Sequence, residues 1–444
     1  MSYEAAYMLG TALTFFCRIH ERNISFLLLT FLPYHTLPIF TTLLSILPER
    51  VPQEYKFLQP YIRSLTSPPR HTIVQVATSN IPFTSALNSY VLRICQARQN
   101  YQALLAFWAG VMTEAVAGMM DKARSGRQGV QLQNEQEVIL RLLPTLNEGL
   151  AMRRVPDLRV GCYMMLSIMA TKGGLDDKLL TAMMEAVVLG WTEETTVPGL
   201  VCLSILAQHR SAKPISKKTT KELMKVQNLP NLLTELSKQR RVDKLANGLC
   251  VALVDRVRRT LEFSHLSTVQ KILEQELLSD AQTSVIIKAL LLIAHEIDEG
   301  SISHQDLRSH LASVLVSLTQ LSGHVGFVVR GVLGDTDIDM DDLELKLQTT
   351  LRSIESPPSP SGDVEMEDAS VNSGTPNISA ILEALPKKTV NEPTFLSHGS
   401  SHIYPDLCRA FISSASNATD IDTFDQIPII RRETALEDTL YLSF

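Results

Sequence analysis

Three aspartates at alternate positions, Asp335, Asp337 and Asp339, have the spacing of the first ligands of a calcium-binding loop. The pattern then fails. The sixth position, where such a loop needs glycine for its turn, is Met340, and the twelfth, where it needs a bidentate glutamate, is Lys346. His295-Glu296 opens like a zinc-protease helix, but position 299 is glutamate rather than the second histidine. His304 and His310 are six residues apart, which puts them on different faces of a helix. Cys202 and His209 fall two turns apart on one expected helix, a thiol and an imidazole with no orienting acid and no oxyanion loop beside them. Ser125-Gly126-Arg127-Gln128-Gly129 lacks the spacing and the lysine of a nucleotide-binding loop. These residues give no catalytic, metal or cofactor site, so the chain reads as non-enzymatic.

The cations leave more open. Between Arg210 and Arg259 there are 13 Lys and Arg against Glu222, Glu235, Asp243 and Asp255, a balance of plus 9 in a chain whose total is minus 6. Lys217, Lys218, Lys221 and Lys225 can share a helix face, and Arg240, Arg241, Lys244, Arg256, Arg258 and Arg259 follow within two helices. Such a stripe either grips phosphates or an acidic partner by counterion release or is an ordinary solvated face.

The elements that carry these residues announce themselves by an echo. Leu166-Ser167-Ile168-Met169-Ala170 returns 37 positions later as Leu203-Ser204-Ile205-Leu206-Ala207, each preceded by a glycine (Gly161, Gly199) and a proline (Pro156, Pro198). A period of this length in helix-forming sequence is the mark of stacked helical hairpins. In the first copy Pro156 suits a first helical turn, Asp157 complements the helix dipole, and Arg159 is expected to face out. Lys172-Gly173-Gly174 should stop that helix and Asp176-Asp177 open the next, whose Leu179, Leu180, Met183, Val187 and Val188 fall on helical spacing. Trp191 closes the unit and Pro198 is expected to start another. The Met residues at 164, 165, 169, 183 and 184, with Trp108 and Trp191, read as core filler rather than a ligand box.

The same signals predict helices near 2–17, 23–32, 36–47, 71–79, 83–98, 101–124, 134–152, 157–172, 176–190, 198–208, 216–225, 229–238, 242–261, 265–277, 281–298 and 304–321. Paired, they make an all-α array of HEAT- or armadillo-like hairpins, whose period is looser than that of other helical repeats. An apolar, aromatic-poor composition agrees, with 45% hydrophobic and 6% aromatic residues. Residues 1–334 are expected to form this solenoid. From Leu333 to Ser370 there are 11 acidic residues against Lys346 and Arg352, so 335–376 reads as an acidic Ser/Pro-containing disordered linker. Ser356 and Ser359, each before a proline, are candidate phosphorylation sites there. Helices should resume in 377–444, a continuation of the array that stops short.

Ile24 to Leu47 holds no formally charged residue over a length that spans a bilayer, but Pro33, His35 and Pro38 break it, so a buried hairpin is expected. The start lacks a cationic leader. Six cysteines with no two closer than 40 residues read as buried reduced thiols.

Three long blocks, RIHERNISFLLLTFLPYHTLPIF (18–40), LLAFWAGVMTEAVAGMMDKARSGR (104–127) and LLTAMMEAVVLGWTEETTVPGLVCLSILAQ (179–208), resemble the very large fungal HEAT-repeat proteins of the small-subunit processome that associate with the U3 small nucleolar RNA. NEPTFLSHGSSHIYPDL (391–407) and LEDTLYLSF (436–444) look like its continuation. The first 17 residues do not share the likeness, and the family runs on well past Phe444, so the chain reads as an N-terminal portion. An array without its end cap exposes apolar surface, and self-association is expected. The resemblance implies a non-catalytic scaffold of the nucleus and nucleolus that assists pre-rRNA processing toward the small-subunit RNA and is linked to rRNA transcription. It implies as partners β-propeller subunits, the 5′ leader of the pre-rRNA and the U3 particle. No cofactor, membrane or small-molecule substrate is implied. The period alone would suit a cytoplasmic HEAT adaptor of the transport-receptor or phosphatase-scaffold type equally well.

Overall fold

The computed structural model describes residues 18–351 apart from 126–127, 212–213, 298–301 and 337. The chain divides into Met1–Glu355 and Ser356–Phe444, and the second unit lies outside the described residues, as does the helix expected at 2–17. Among the described residues every regular element is a helix.

The first part is built from short pieces: α1 (Ile19–Arg22), α2 (Ile24–Phe31), α3 (Pro38–Ile46) and α4 (Gln59–Ser64). Pro33 sits in a tight 3₁₀ turn and Pro38 begins α3, so the uncharged stretch is folded into a bent pair. Leu28, Leu32, Phe40, Leu43 and Leu44 of that pair are buried in the common core.

Long helices follow: α5 (Arg70–Ser79), α6 (Ile81–Gln96), α7 (Gln102–Arg124), α8 (Gln128–Ala151), α9 (Pro156–Lys172), α10 (Asp177–Val188) and α11 (Glu193–Gln208). The remainder comprises α12 (Lys217–Leu223), α13 (Leu229–Ser237), α14 (Asp243–Thr260), α15 (Leu266–Glu274), α16 (Asp280–Glu296), α17 (Ile302–Thr319), α18 (His324–Gly334) and α19 (Met340–Leu347). The expected 335–376 linker therefore carries a helix where it is described, capped by Asp339, whose carboxylate accepts from the Asp341 amide at 3.0 Å.

Helices alternate between two layers. One stacks α5, α7, α9, α11, α14, α16 and α18; the other runs α6, α8, α10, α12, then α13, α15, α17 and α19. The short pair α12 and α13 occupies the place of a single helix, so α11 packs on α14 across the intervening chain. This is the irregular two-layer hairpin stack of an α-solenoid.

The echo is this stacking seen in sequence. Leu166, Met169 and Ala170 on α9 and Leu203, Leu206 and Ala207 on α11 are buried at matching places in successive helices of one layer. Ser167 and Ser204 each return their hydroxyl to the carbonyl four residues back, at 2.8 Å in both, which neutralises a polar group at the packed face. Close approach needs the glycines: a Cβ at Gly161 would stand 2.7 Å from Trp108 of α7, and one at Gly199 3.0 Å from Trp191. Trp108 cannot retreat freely, because its indole N–H donates to the buried Asn88 side chain at 2.9 Å. α7 is long and apolar enough to cross a membrane, yet its Leu104, Trp108, Val111, Ala115 and Met120 are buried against neighbouring helices.

Two expectations for this region are corrected. Pro198 does not start α11, which begins five residues earlier at Glu193. The side chains of Thr192 and Thr195 form a reciprocal capping box, and the helix runs through Pro198 despite the missing backbone donor. Arg159 does not face out: it is 0% exposed. Its guanidinium reaches across the hairpin to the C-terminal carbonyls of α10, at 2.9 Å to Gly190, 3.2 Å to Leu189 and 3.3 Å to Val187. Those carbonyls have no partner within their own helix, and the arginine supplies one.

Candidate functional site

The sites tested for catalysis fall apart in three dimensions. Cys202 is buried and its thiol is pushed up to about 12 by burial, the opposite of an activated nucleophile. Cys162 and Cys250 are likewise raised to about 12, and Cys95 to about 11. His209 lies just past the end of α11, its pKa lowered by partial burial and then by Lys244. His310 stacks on Phe263, ring centres 4.0 Å apart. Met165, Met169, Met183 and Met184 are buried as core filler, whereas Met164 is 42% exposed. Among the described residues no three His, Cys, Asp or Glu side chains are grouped to hold a metal ion. Asp337, Gly126 and Arg127 lie outside the described residues, as do Ser356 and Ser359.

The basic stretch is described almost in full, and most of it is already engaged. Lys218 of α12 turns to Glu185 of α10 at 3.2 Å. The Glu185 carboxyl is held below its ordinary range by a hydrogen bond from Ser216, with Lys218 adding to it. Lys225, beyond the end of α12, pairs with Glu222 at 2.6 Å, and Arg241 with Asp243 at 3.5 Å. Lys244 caps α11, donating to the Gln208 carbonyl at 2.6 Å. Arg256 meets Glu262 at 3.1 Å, and Arg259 grips Asp255 through two nitrogens at 3.1 and 2.5 Å. Arg258 makes a two-pronged contact with Glu296 of α16, at 2.8 and 2.5 Å. Arg210 is buried and donates to the Pro214 carbonyl at 3.3 Å.

Among the described residues of the stripe, the side chains of Lys217, Lys221 and Arg240 remain without a hydrogen bond or an acidic partner. Lys217 lines a cleft of about 530 Å³ between α12 and α14, with Ser216, Thr220, Arg256, Arg259 and Asp255 on its walls. Exposed pairs of this kind contribute little to stability, about 0–1 kcal/mol each, so a polyanion could displace Asp255 or Glu262 at small cost. The stripe is a reserve of exchangeable cations rather than a field of free charge.

A second cleft, of about 520 Å³, carries no signal along the sequence. It lies between the turn after α6 and the turn joining α8 to α9, lined by Cys95, Gln96, Arg98, Asn100, Ala151, Met152, Arg153, Arg154 and Val155. Its arginines stand 55 residues apart in two short words, QARQN and MRRVP, neither of which is a charge run. Only the stacking of α8 on α6 brings the two turns to one edge.

Residues 138–253 match the family described as "U3 small nucleolar RNA-associated protein 10". Curated proteins of that name are similar over nearly the whole chain. The one from Pyricularia oryzae is 44% identical over 430 residues, 96% of this chain and 24% of its own length. The Neurospora crassa protein is 41% identical and the Aspergillus niger protein 37%, each over 96% of this chain and 24% of the relative. The resemblance carried by the sequence blocks thus holds well beyond them, and the chain spans about a quarter of the length of the curated relatives it matches.

Proposed function

We propose, from this kinship with U3 small nucleolar RNA-associated protein 10, that the chain is a non-catalytic scaffold of the small-subunit processome, acting in pre-rRNA processing toward the small-subunit rRNA. The observation that carries the reading is 36–44% identity over most of the chain to fungal proteins of that one name. A two-layer helical stack suits the task. Each hairpin touches only its neighbours, so the array is a long rigid surface on which many modest interactions add up without any one residue doing chemistry.

On this reading the protein resides in the nucleus and nucleolus, and its partners are other processome proteins, β-propeller subunits among them. The U3 particle and the 5′ leader of the pre-rRNA are met directly or through those proteins. The free cations Lys217, Lys221 and Arg240, with the exchangeable Lys218, Lys225, Arg241, Lys244, Arg256, Arg258 and Arg259, form one surface for RNA or an acidic partner. Ser356 and Ser359 are proposed phosphorylation sites in the acidic segment, where added phosphate would mostly repel. Residues 1–334, 335–376 and 377–444 are proposed as array, linker and resumed array.

The test is affinity capture of the tagged chain from fungal cells, with U3 RNA quantified in the eluate, alongside fluorescence localisation. Enrichment of U3 over an unrelated small RNA, with nucleolar signal, is the expected result. A chain excluded from nucleoli and without U3 enrichment overturns the reading.

A further inference from the structure

We infer that the cleft at the edge of α6, α8 and α9 is a phosphate-backbone site for single-stranded RNA, held by Arg98, Arg153 and Arg154. The choice of RNA among polyanions rests on the processome reading; the cleft itself rests on the structure.

The charge comes first. Three arginines and no acidic residue line the cleft. Among the described residues none of the three side chains makes an ion pair or a hydrogen bond, in contrast to the basic stretch of α12 and α14. All three are exposed, and the carboxylate of Glu148 on α8 accepts from the side-chain amide of Gln96. A planar guanidinium offers paired donors that match two oxygens of one phosphate, which an ammonium does not.

The backbone holds these side chains in place. Arg98 has φ of 57°, a left-handed residue that ends α6, where its own N–H bonds the Cys95 carbonyl at 3.1 Å and the next N–H bonds the Ile94 carbonyl at 3.0 Å. Arg153 and Arg154 sit in the tight turn before Pro156, with the Arg153 N–H on the Ala151 carbonyl at 3.0 Å. Gly190, at φ of 67°, leaves the room Arg153 occupies, since a Cβ there would overlap the Arg153 Nε. Arg153 is thereby steadied against the next turn along the same edge.

The walls favour a nucleic acid over an acidic peptide. The exposed lining is Gln96, Arg98, Asn100, Ala151, Arg153 and Arg154, with Met152 half-buried and Cys95 and Val155 buried. An acidic peptide would want apolar recesses for the side chains between its carboxylates, and beside the Ala151 methyl the wall offers only the half-buried Met152. The Asn100 amide, by contrast, can both donate to and accept from a ribose hydroxyl or a base edge.

The experiment is fluorescence anisotropy of the full chain with a fluorescein-labelled twelve-residue oligouridylate, over a salt series. R98Q/R153Q/R154Q is expected to weaken binding about tenfold or more and to flatten the plot of log Kd against log salt by about 2, near 0.7 for each phosphate no longer neutralised. Because Arg153 packs on Gly190, R98Q/R154Q is measured too and is expected to give about two thirds of the change in slope, with melting unchanged. The inference is overturned by an unaltered Kd and slope in the triple variant, or by an equal weakening in K56Q/K271Q/K288Q, three exposed cations outside both the cleft and the basic stripe, which would make net charge the cause. It is also overturned if the arginines prove necessary for a labelled oligoglutamate but not for the RNA. A chain that enters U3 particles yet fails here loses only this cleft. A chain that binds RNA through these arginines but stays out of U3 particles loses the processome reading instead.

Discussion

Arg159→Ala should unlock the end of α10, and the size of the effect follows from what the guanidinium touches. Three carbonyls receive its donors: Gly190 at 2.9 Å, Leu189 at 3.2 Å and Val187 at 3.3 Å. Val187 would keep a partner, since the Tyr163 hydroxyl also donates to it at 3.2 Å. Leu189 and Gly190 would be left without one in a partly buried turn, at about 1 kcal/mol each by the lower end for an unpaired polar group. Alanine keeps the β carbon, so removing the rest of the buried stem costs about 0.8 kcal/mol per methylene, roughly 1.6 kcal/mol for two. Against this, the wild type bears the desolvation of a buried charge, and its Nε has no partner at all. The balance is a destabilisation of about 2–3 kcal/mol, confined at first to α10 and its neighbours because each hairpin is held by the next. Hydrogen exchange of the amides in α10 and the turn to Trp191 is the assay, since a repeat array need not unfold in one step. Exchange there should quicken by a factor of about 30 to 150, while that of α16 and α18 stays unchanged. Tyr163→Phe should cost about 1 kcal/mol, and the double variant should show coupling through the shared carbonyl. Exchange in α10 that quickens less than about fivefold in Arg159→Ala would refute a capping role for this arginine.

Two further outcomes can be checked by melting. Gly161→Ala is expected to lower stability by about 1–2 kcal/mol, because Trp108 and Ala109 occupy the new methyl's place, whereas Gly331→Ala, with open space around it, should raise it by up to about 1 kcal/mol through helix propensity alone. The His35 ring donates from Nδ1 to the Leu32 carbonyl, its Nε2 is buried without a partner, and burial lowers its pKa. Protonation is therefore favoured in the unfolded chain, so stability should fall as pH drops below about 6.5, and melting at about pH 5.5 against about pH 7.5 should show a smaller fall in His35→Phe than in the wild type.

The helices and their manner of stacking are legible in the sequence because their causes are local. Periodic apolar residues, Asp176 as a cap, Pro156 at a first turn and the Leu-Ser-Ile echo each act within one or two turns, so reading along the chain recovers them. Pro198 misleads because the Thr192–Thr195 cap ahead of it starts the helix and outweighs a proline that would suit a first turn. The excess of cations from Arg210 to Arg259 is legible too, but their state is not. Glu185 and Glu296, which hold Lys218 and Arg258, lie 33 and 38 residues away. Arg159 looks like a surface residue since the three carbonyls it caps lie 28 to 31 residues further on. Arg98, Arg153 and Arg154 belong to separate turns that carry no signal singly. Local chemistry decides where helices form; whether a charge is buried, paired or left free to meet a phosphate depends on which turns the stacking brings together, and that is set only when the layers close.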